Sequence, residues 1–136
     1  MGRWRGGCLT YFREVELFEA LKAEYPDLTP LSATDRVDGV TGDAFIELKC
    51  RRTHYDRLMI EKHKWDYLAD IRARTASKTL YINATPKGIY EFDLGAINEP
   101  EWVLKVLPTK TDFAGSEKVE KAVGFIDIKE SRLLLI

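Results

Sequence analysis

A chain of 136 residues, 45% apolar, with 21 basic and 22 acidic side chains, has room for one core and one domain. The net charge of -1 argues against a globally basic nucleic-acid coat, and two cysteines make no disulfide framework. No run approaches the ~20 apolar residues of a membrane span, so a cytoplasmic protein without membrane contact is expected.

Residues 1–10 read as a flexible basic arm, Gly-Arg-Trp-Arg-Gly-Gly, in which Arg3 and Arg5 suit phosphate. Residues 11–25 read as a helix with Thr10 as N-cap. Tyr11, Val15, Phe18, Leu21 and Tyr25 share one face of it, and Glu14 falls inside that stripe. A carboxylate there either sits at the stripe's wet end or reaches inward to a metal or a basic group. Pro26 and Pro30 then open a loop.

Residues 35–40 and 44–51 read as a hairpin. Gly42-Asp43 suits a two-residue type II′ turn. Thr41 then pairs with Ala44, Val40 with Phe45, and Asp38 falls opposite Glu47. On the return strand Ile46, Leu48 and Cys50 point one way and Phe45, Glu47 and Lys49 the other. Directly opposite residues lie roughly 5 Å apart at Cβ. Two carboxylates placed there repel unless something positive lies between them, and a divalent cation with oxygen ligands fits. Asp43 belongs to the turn. Alternation puts Asp35 on the opposite face from Asp38.

Residues 56–74 read as a second helix with Ile60, Trp65, Leu68 and Ile71 inward. Lys64, between Ile60 and Leu68, is then a basic residue on the inward side, unless it snorkels to solvent. From Lys49 to Lys64 there are six Lys or Arg against two acids, and Arg51, Arg52, Lys62 and Lys64 are candidate phosphate contacts. His54 and His63 read as surface or DNA-facing side chains rather than general bases, and Cys8, Cys50 and a histidine have no zinc-site spacing. Residues 78–84 form a strand that completes a βαβ-like crossover, residues 86–88 a turn, and 88–94 a strand pairing back. Residues 96–107 fit either a helical turn or a strand, 109–115 a loop and 122–129 a strand. The apolar end Leu133-Leu134-Leu135-Ile136 must be buried or pack on a second copy.

The order helix with an inward Glu14, then Asp38, Glu47-Leu48-Lys49, then a helix with an inward Lys64, resembles the PD-(D/E)XK nuclease superfamily. The resemblance covers residues 11–84, and 85–136 look like added strands and C-terminal elaboration. Val37 stands where many members carry proline. Glu14 looks like the first-helix acid of the junction-resolvase branch, and Lys64 stands where many members have Gln or Lys. The resemblance implies an α/β fold of restriction-endonuclease-like core, a mixed central sheet flanked by helices in the order α-β-β-α-β.

It also implies a Mg-dependent deoxyribonuclease, Mn²⁺ substituting. Asp38, Glu47, the Leu48 carbonyl and Glu14 would be metal ligands, Lys49 would assist the attacking water, and Lys64 would hold a phosphate oxygen. Compact size favours a small phage type of enzyme, in the host cytoplasm, over elaborate sequence readout. A homodimer is expected, because cutting both strands of a duplex asks for two sites. An endonuclease leads. A junction-resolvase-like enzyme, an exonuclease, a catalytically silent DNA-binding module and an assembly protein are the alternatives.

Overall fold

The structure, a computed structural model, describes residues 13–32, 35–108 and 118–135. The expected arm with Arg3 and Arg5, Cys8 and the loop over 109–115 lie outside them, and the first helix has Arg13 as its N-cap and not Thr10. In chain order the elements are α1 (Glu14–Leu21), β1 (Thr29–Pro30), β2 (Gly39–Val40), β3 (Ala44–Cys50), β4 (Arg57–Glu61), α2 (Lys62–Thr75), β5 (Lys78–Thr85), β6 (Gly88–Asp93), β7 (Val103–Pro108), β8 (Lys118–Asp127), a 3₁₀ turn (Ile128–Glu130) and β9 (Arg132–Leu135).

The chain is mixed α/β. A six-stranded sheet has the order β1-β2-β3-β5-β6-β9, and a three-stranded antiparallel sheet the order β4-β8-β7. β3 and β5 run parallel, while their outer neighbours pair antiparallel. The parallel pair needs a crossover, and β4 with α2 supplies it. Along β3 the side chains alternate between two cores. Ala44, Ile46 and Leu48 pack with Leu17 and Leu21 of α1. Phe45, one residue out of phase, packs with Trp65, Leu68 and Ile71 of α2 and with Leu58 and Ile60 of β4. β5 is covered on both faces and reads as a nearly continuous apolar run for that reason.

Three helix boundaries differ from expectation, the start of α1 at Glu14 among them. α2 begins at Lys62, and Arg57–Glu61 is a strand paired with β8. Leu58 and Ile60 are both buried while Arg57 and Met59 are more open, a period of two that a helical reading overlooks. α1 buries Leu17 and Leu21 and leaves Val15 67% exposed. Leu17, Leu21 and Phe18 centre the stripe, which turns Val15 outward and leaves Glu14 at the stripe's solvent-facing first turn. α1 also ends at Leu21 and not at 25.

The undecided segment before Pro108 is strand β7. β8 begins four residues before the expected 122 and gives way to the 3₁₀ turn after Asp127. The apolar end forms β9 on the outer edge of the large sheet, where Leu134 packs on the α1-side core and Leu133 stays 46% exposed. Arg132 holds this strand in place through ion pairs to Glu24 and Glu91. Among the described residues no helix is long and apolar enough to cross a membrane.

Candidate active site

The hairpin has the expected register: Val40 faces Phe45, Gly39 faces Ile46, and the Thr41 N–H donates to the Ala44 carbonyl at 2.9 Å. Its turn is not type II′. Gly42 does not take the positive φ that type II′ requires, and its N–H donates instead to Asp27.

The direct opposition of Asp38 and Glu47 does not form. The ladder stops at Gly39, and the Asp38 N–H donates to the Ile46 carbonyl at 3.0 Å, one position short of Glu47. A side chain at Gly39 would meet Phe18 and Leu28 on the α1 side, yet Val37, two residues earlier, packs with the α2-side core. Strict alternation would put both on one face, so Asp38 is the extra residue of a bulge. Its carboxylate swings to the open edge of β3, where Oδ2 accepts the Leu48 N–H at 2.8 Å. A strand residue sends N–H and C=O to the same edge, so the Leu48 carbonyl faces this edge as well.

Three acids converge there from different elements. Glu14 comes from the first turn of α1; burial and then the Asp38 carboxylate push its carboxyl above the usual range. Glu47 points from β3 toward α2. Its Oε2 pairs with Lys64 at 3.2 Å, while its buried Oε1 has no hydrogen-bond partner among the described residues. Burial first and Asp38 second push Glu47 up to about 7, and Lys64 works against them. Lys64 also donates to the Arg36 carbonyl at 3.2 Å. Its side chain thus points inward as expected, though from the first turn of α2 and not from mid-helix.

Lys49 lies one pleat beyond Glu47 on the same face. It makes no hydrogen bond or ion pair among the described residues. Burial first and the Arg51 guanidinium second hold its ammonium below the ordinary lysine range, against the pull of Glu61 and Glu47.

Arg51 was expected to hold phosphate, but its guanidinium is tied into the frame. It donates to Asn83 Oδ1 and to the Met59 carbonyl, both at 2.6 Å, and to the Tyr81 hydroxyl at 3.1 Å. These contacts join the end of β3 to β5 and β4. Asn83 is fully buried, and its Nδ2 already has no partner among the described residues. Arg51→Met strands an amide oxygen and a carbonyl more, and is expected to cost ~2–4 kcal/mol in urea unfolding. An unchanged midpoint would leave Arg51 without this role.

Arg52 is exposed at the start of the following loop. Lys62 opens α2 and pairs with Asp66 at 2.8 Å. His63 is a surface side chain as expected, against Glu61. His54 is not: its side chain is 10% exposed, bonded to Thr85 and packed on Tyr90. Cys50 faces the α1-side core, and burial pushes its thiol up to about 11, which suits an inert packing residue. Asp35 caps its own loop through Ser32.

Sequence reasoning missed Glu61 and Lys121, which pair at 3.3 Å beside the site. Glu61 was hidden because the helical reading swallowed β4. Asn83 did leave a signal, a lone amide inside the apolar run Leu-Tyr-Ile-Asn-Ala.

The donor chemistry suits a hard divalent cation, with carboxylate oxygens and one carbonyl at a single sheet edge and an orphaned Glu47 oxygen among them. The cage is not closed: among the described residues no three of His, Cys, Asp and Glu stand ready to hold a metal. The reason is visible, since Asp38 is turned to the Leu48 N–H and Glu47 to Lys64. No protein-family model, curated protein or solved structure matches the chain.

Proposed function

We propose that the chain is a metal-dependent deoxyribonuclease of PD-(D/E)XK type that hydrolyses phosphodiester bonds, acting as an endonuclease. In this reading α1, β2, β3, α2 and β5 are the restriction-endonuclease-like core, and β4-β8-β7 is an elaboration of it. The observation that carries the reading is Glu47. It is a buried carboxyl beside a second carboxylate, and among the described residues one of its oxygens is unpartnered and the lysine one pleat away has no ion pair. A core group left like this is costly unless the site has a use for it.

Asp38, Glu47, Glu14 and the Leu48 carbonyl would hold Mg²⁺ or Mn²⁺. The bound ion would polarise the scissile phosphate and make a water nucleophilic near neutral pH. Lys49 would orient that water and accept its proton, a role its lowered proton affinity favours. Lys64 would exchange Glu47 for a phosphate oxygen as the substrate arrives. A homodimer would bring one such site to each strand of a duplex. The exposed Leu133 is apolar surface it would cover.

A silent DNA-binding module is the second reading. It is favoured by the protein partners that Asp38 and Glu47 already have. Incubation of duplex, nicked, single-stranded and four-way-junction DNA with Mg²⁺ or Mn²⁺ separates the two. Cutting of any of them supports the enzyme, and cutting of none, with binding intact, leaves the module.

Asp38→Asn tests the ligand set without cleavage. An amide oxygen still accepts the Leu48 N–H, and a like charge beside Glu47 and Glu14 is gone. The metal-free variant should therefore be at least as stable as wild type at neutral pH. It should lose the Mg²⁺-induced rise in Tm. A rise that survives would mean that the ion binds elsewhere.

A further inference from the structure

We infer that the outward face of the three-stranded sheet is a track for an unpaired nucleic-acid strand, with Phe125 as its base platform; this rests on the nuclease reading and narrows its substrate to DNA with a single-stranded stretch. The two faces of this sheet differ. Leu58, Ile60, Gly124 and Ile126 face the core and are buried. The opposite face carries Arg57 and Met59 from β4, Phe125 and Lys121 from β8, and Lys105 from β7, all exposed or half-buried, with Val123 fully buried between Lys121 and Phe125.

Phe125 sits in the middle strand of this face. Arg57 reaches over its ring from one edge strand at 5.9 Å, and Lys105 from the other at 5.7 Å. Both distances are near the ~6 Å limit of useful cation–π attraction. The two cations therefore flank the ring more than they cap it.

Lys105 stands directly opposite Lys121 in the β7–β8 ladder. Facing like charges destabilise a sheet unless something negative lies over them. Among the described residues, the acids on this face meet that need only in part, and none pairs with Lys105. Glu61 is shared between Lys121 and His63, and Asp127 accepts the Lys129 N–H.

Two cations flanking one half-buried aromatic ring, with Lys121 further along the middle strand, match a single strand, in which phosphates follow the cations and a free base stacks on the ring. A duplex hides its base faces and could use only the cations. The track also leads to the chemistry. From Lys121 it passes to Glu61, whose charge is felt at Lys49 beside Glu47.

The test is binding of a fluorescent oligodeoxynucleotide by anisotropy in EDTA, so that cleavage plays no part. Wild type should bind a single strand more tightly than the matching duplex. Phe125→Leu should weaken the single strand about 5- to 50-fold and the duplex less than about twofold, as expected for one lost stacking platform. Lys105→Gln should weaken both, and lower the salt dependence of single-strand binding by about 0.7 in log–log slope. Far-ultraviolet circular dichroism and Tm show whether each variant is folded. If Phe125→Leu is misfolded, Arg57→Gln, which removes the other cation beside the ring, stands in and should weaken single-strand binding as Lys105→Gln does.

Folded Phe125→Leu and Lys105→Gln proteins that bind single strands as wild type does overturn the track. So does wild type that prefers duplex. Loss of single-strand binding in the variants supports it even if wild type cuts nothing with Mg²⁺, a result that would sink only the nuclease reading.

Discussion

Lys49→Met is expected to slow single-turnover cleavage of the preferred substrate by about 10²- to 10⁴-fold, with DNA affinity in EDTA nearly unchanged. The expectation comes from what surrounds the amine. Lys49 is set one pleat from Glu47, has no ion pair among the described residues, and is held below the ordinary lysine range by burial and Arg51. An amine in that state gives up and takes back a proton more readily near neutral pH than a surface lysine does. Lys49→Arg divides two roles. It restores positive charge but cannot shuttle a proton, so it rescues little if proton transfer is what Lys49 contributes. If charge alone matters, the arginine recovers most of the rate. A folded Lys49→Met protein that cuts at the wild-type rate would remove Lys49 from the site.

The strands of the core were legible because their signals are local. β3 alternates cleanly, β5 is a compact apolar run, and the Gly42-Asp43 loop fixes the hairpin register. What escaped depends on contacts that sequence does not carry. Leu58 and Ile60 stand two apart and so fit a strand, but they run straight into the helical spacing of Trp65, Leu68 and Ile71. Only the partner strand β8, some 60 residues later, decides where the strand ends. Val15 and Leu17 compete for the inward side of α1, and the packing of α1 on β3 settles it in favour of Leu17.

In the candidate site, residue types were readable and precise roles were not. Glu14, Asp38, Glu47, Lys49 and Lys64 do converge at one edge of β3, from three elements and the loop before β2. Yet Asp38 reaches that edge through a bulge, and a bulge of one residue leaves no mark in the alternation of a strand only two residues long. Arg51 looked like a phosphate contact because it follows the motif and is charged. Its actual partners, Asn83, Tyr81 and the Met59 carbonyl, lie on β5 and β4, and nothing near Arg51 in sequence announces them.

Glu47→Gln should make the metal-free protein more stable at alkaline pH while abolishing cleavage. A carboxyl near 4.5 when unfolded and about 7 when folded means that the folded state holds more protons between those values. Stability contributed by Glu47 is therefore present at low pH and is lost as pH rises from about 4.5 through about 7. The loss is on the order of 3 kcal/mol at most.

The glutamine has no charge to bury, so the difference between variant and wild type should grow across that window and level off above it. Lys64 tempers the gain, since its ion pair goes. At 26% side-chain exposure, however, it has a route to solvent. Urea midpoints at about pH 5 and about pH 8 check this, and a pH-independent difference would mean that Glu47 ionises normally. Lys64→Met should act in the opposite sense. Without the ammonium the main positive offset to Asp38 is gone, so Glu47 should titrate still higher and the metal-free protein should weaken more steeply with pH. Mg²⁺ should then recover more of that stability in Lys64→Met than in wild type, and none of it in Glu47→Gln. That pattern would tie the buried carboxyl, the lysine that neutralises it and the ion that would replace the lysine to one site.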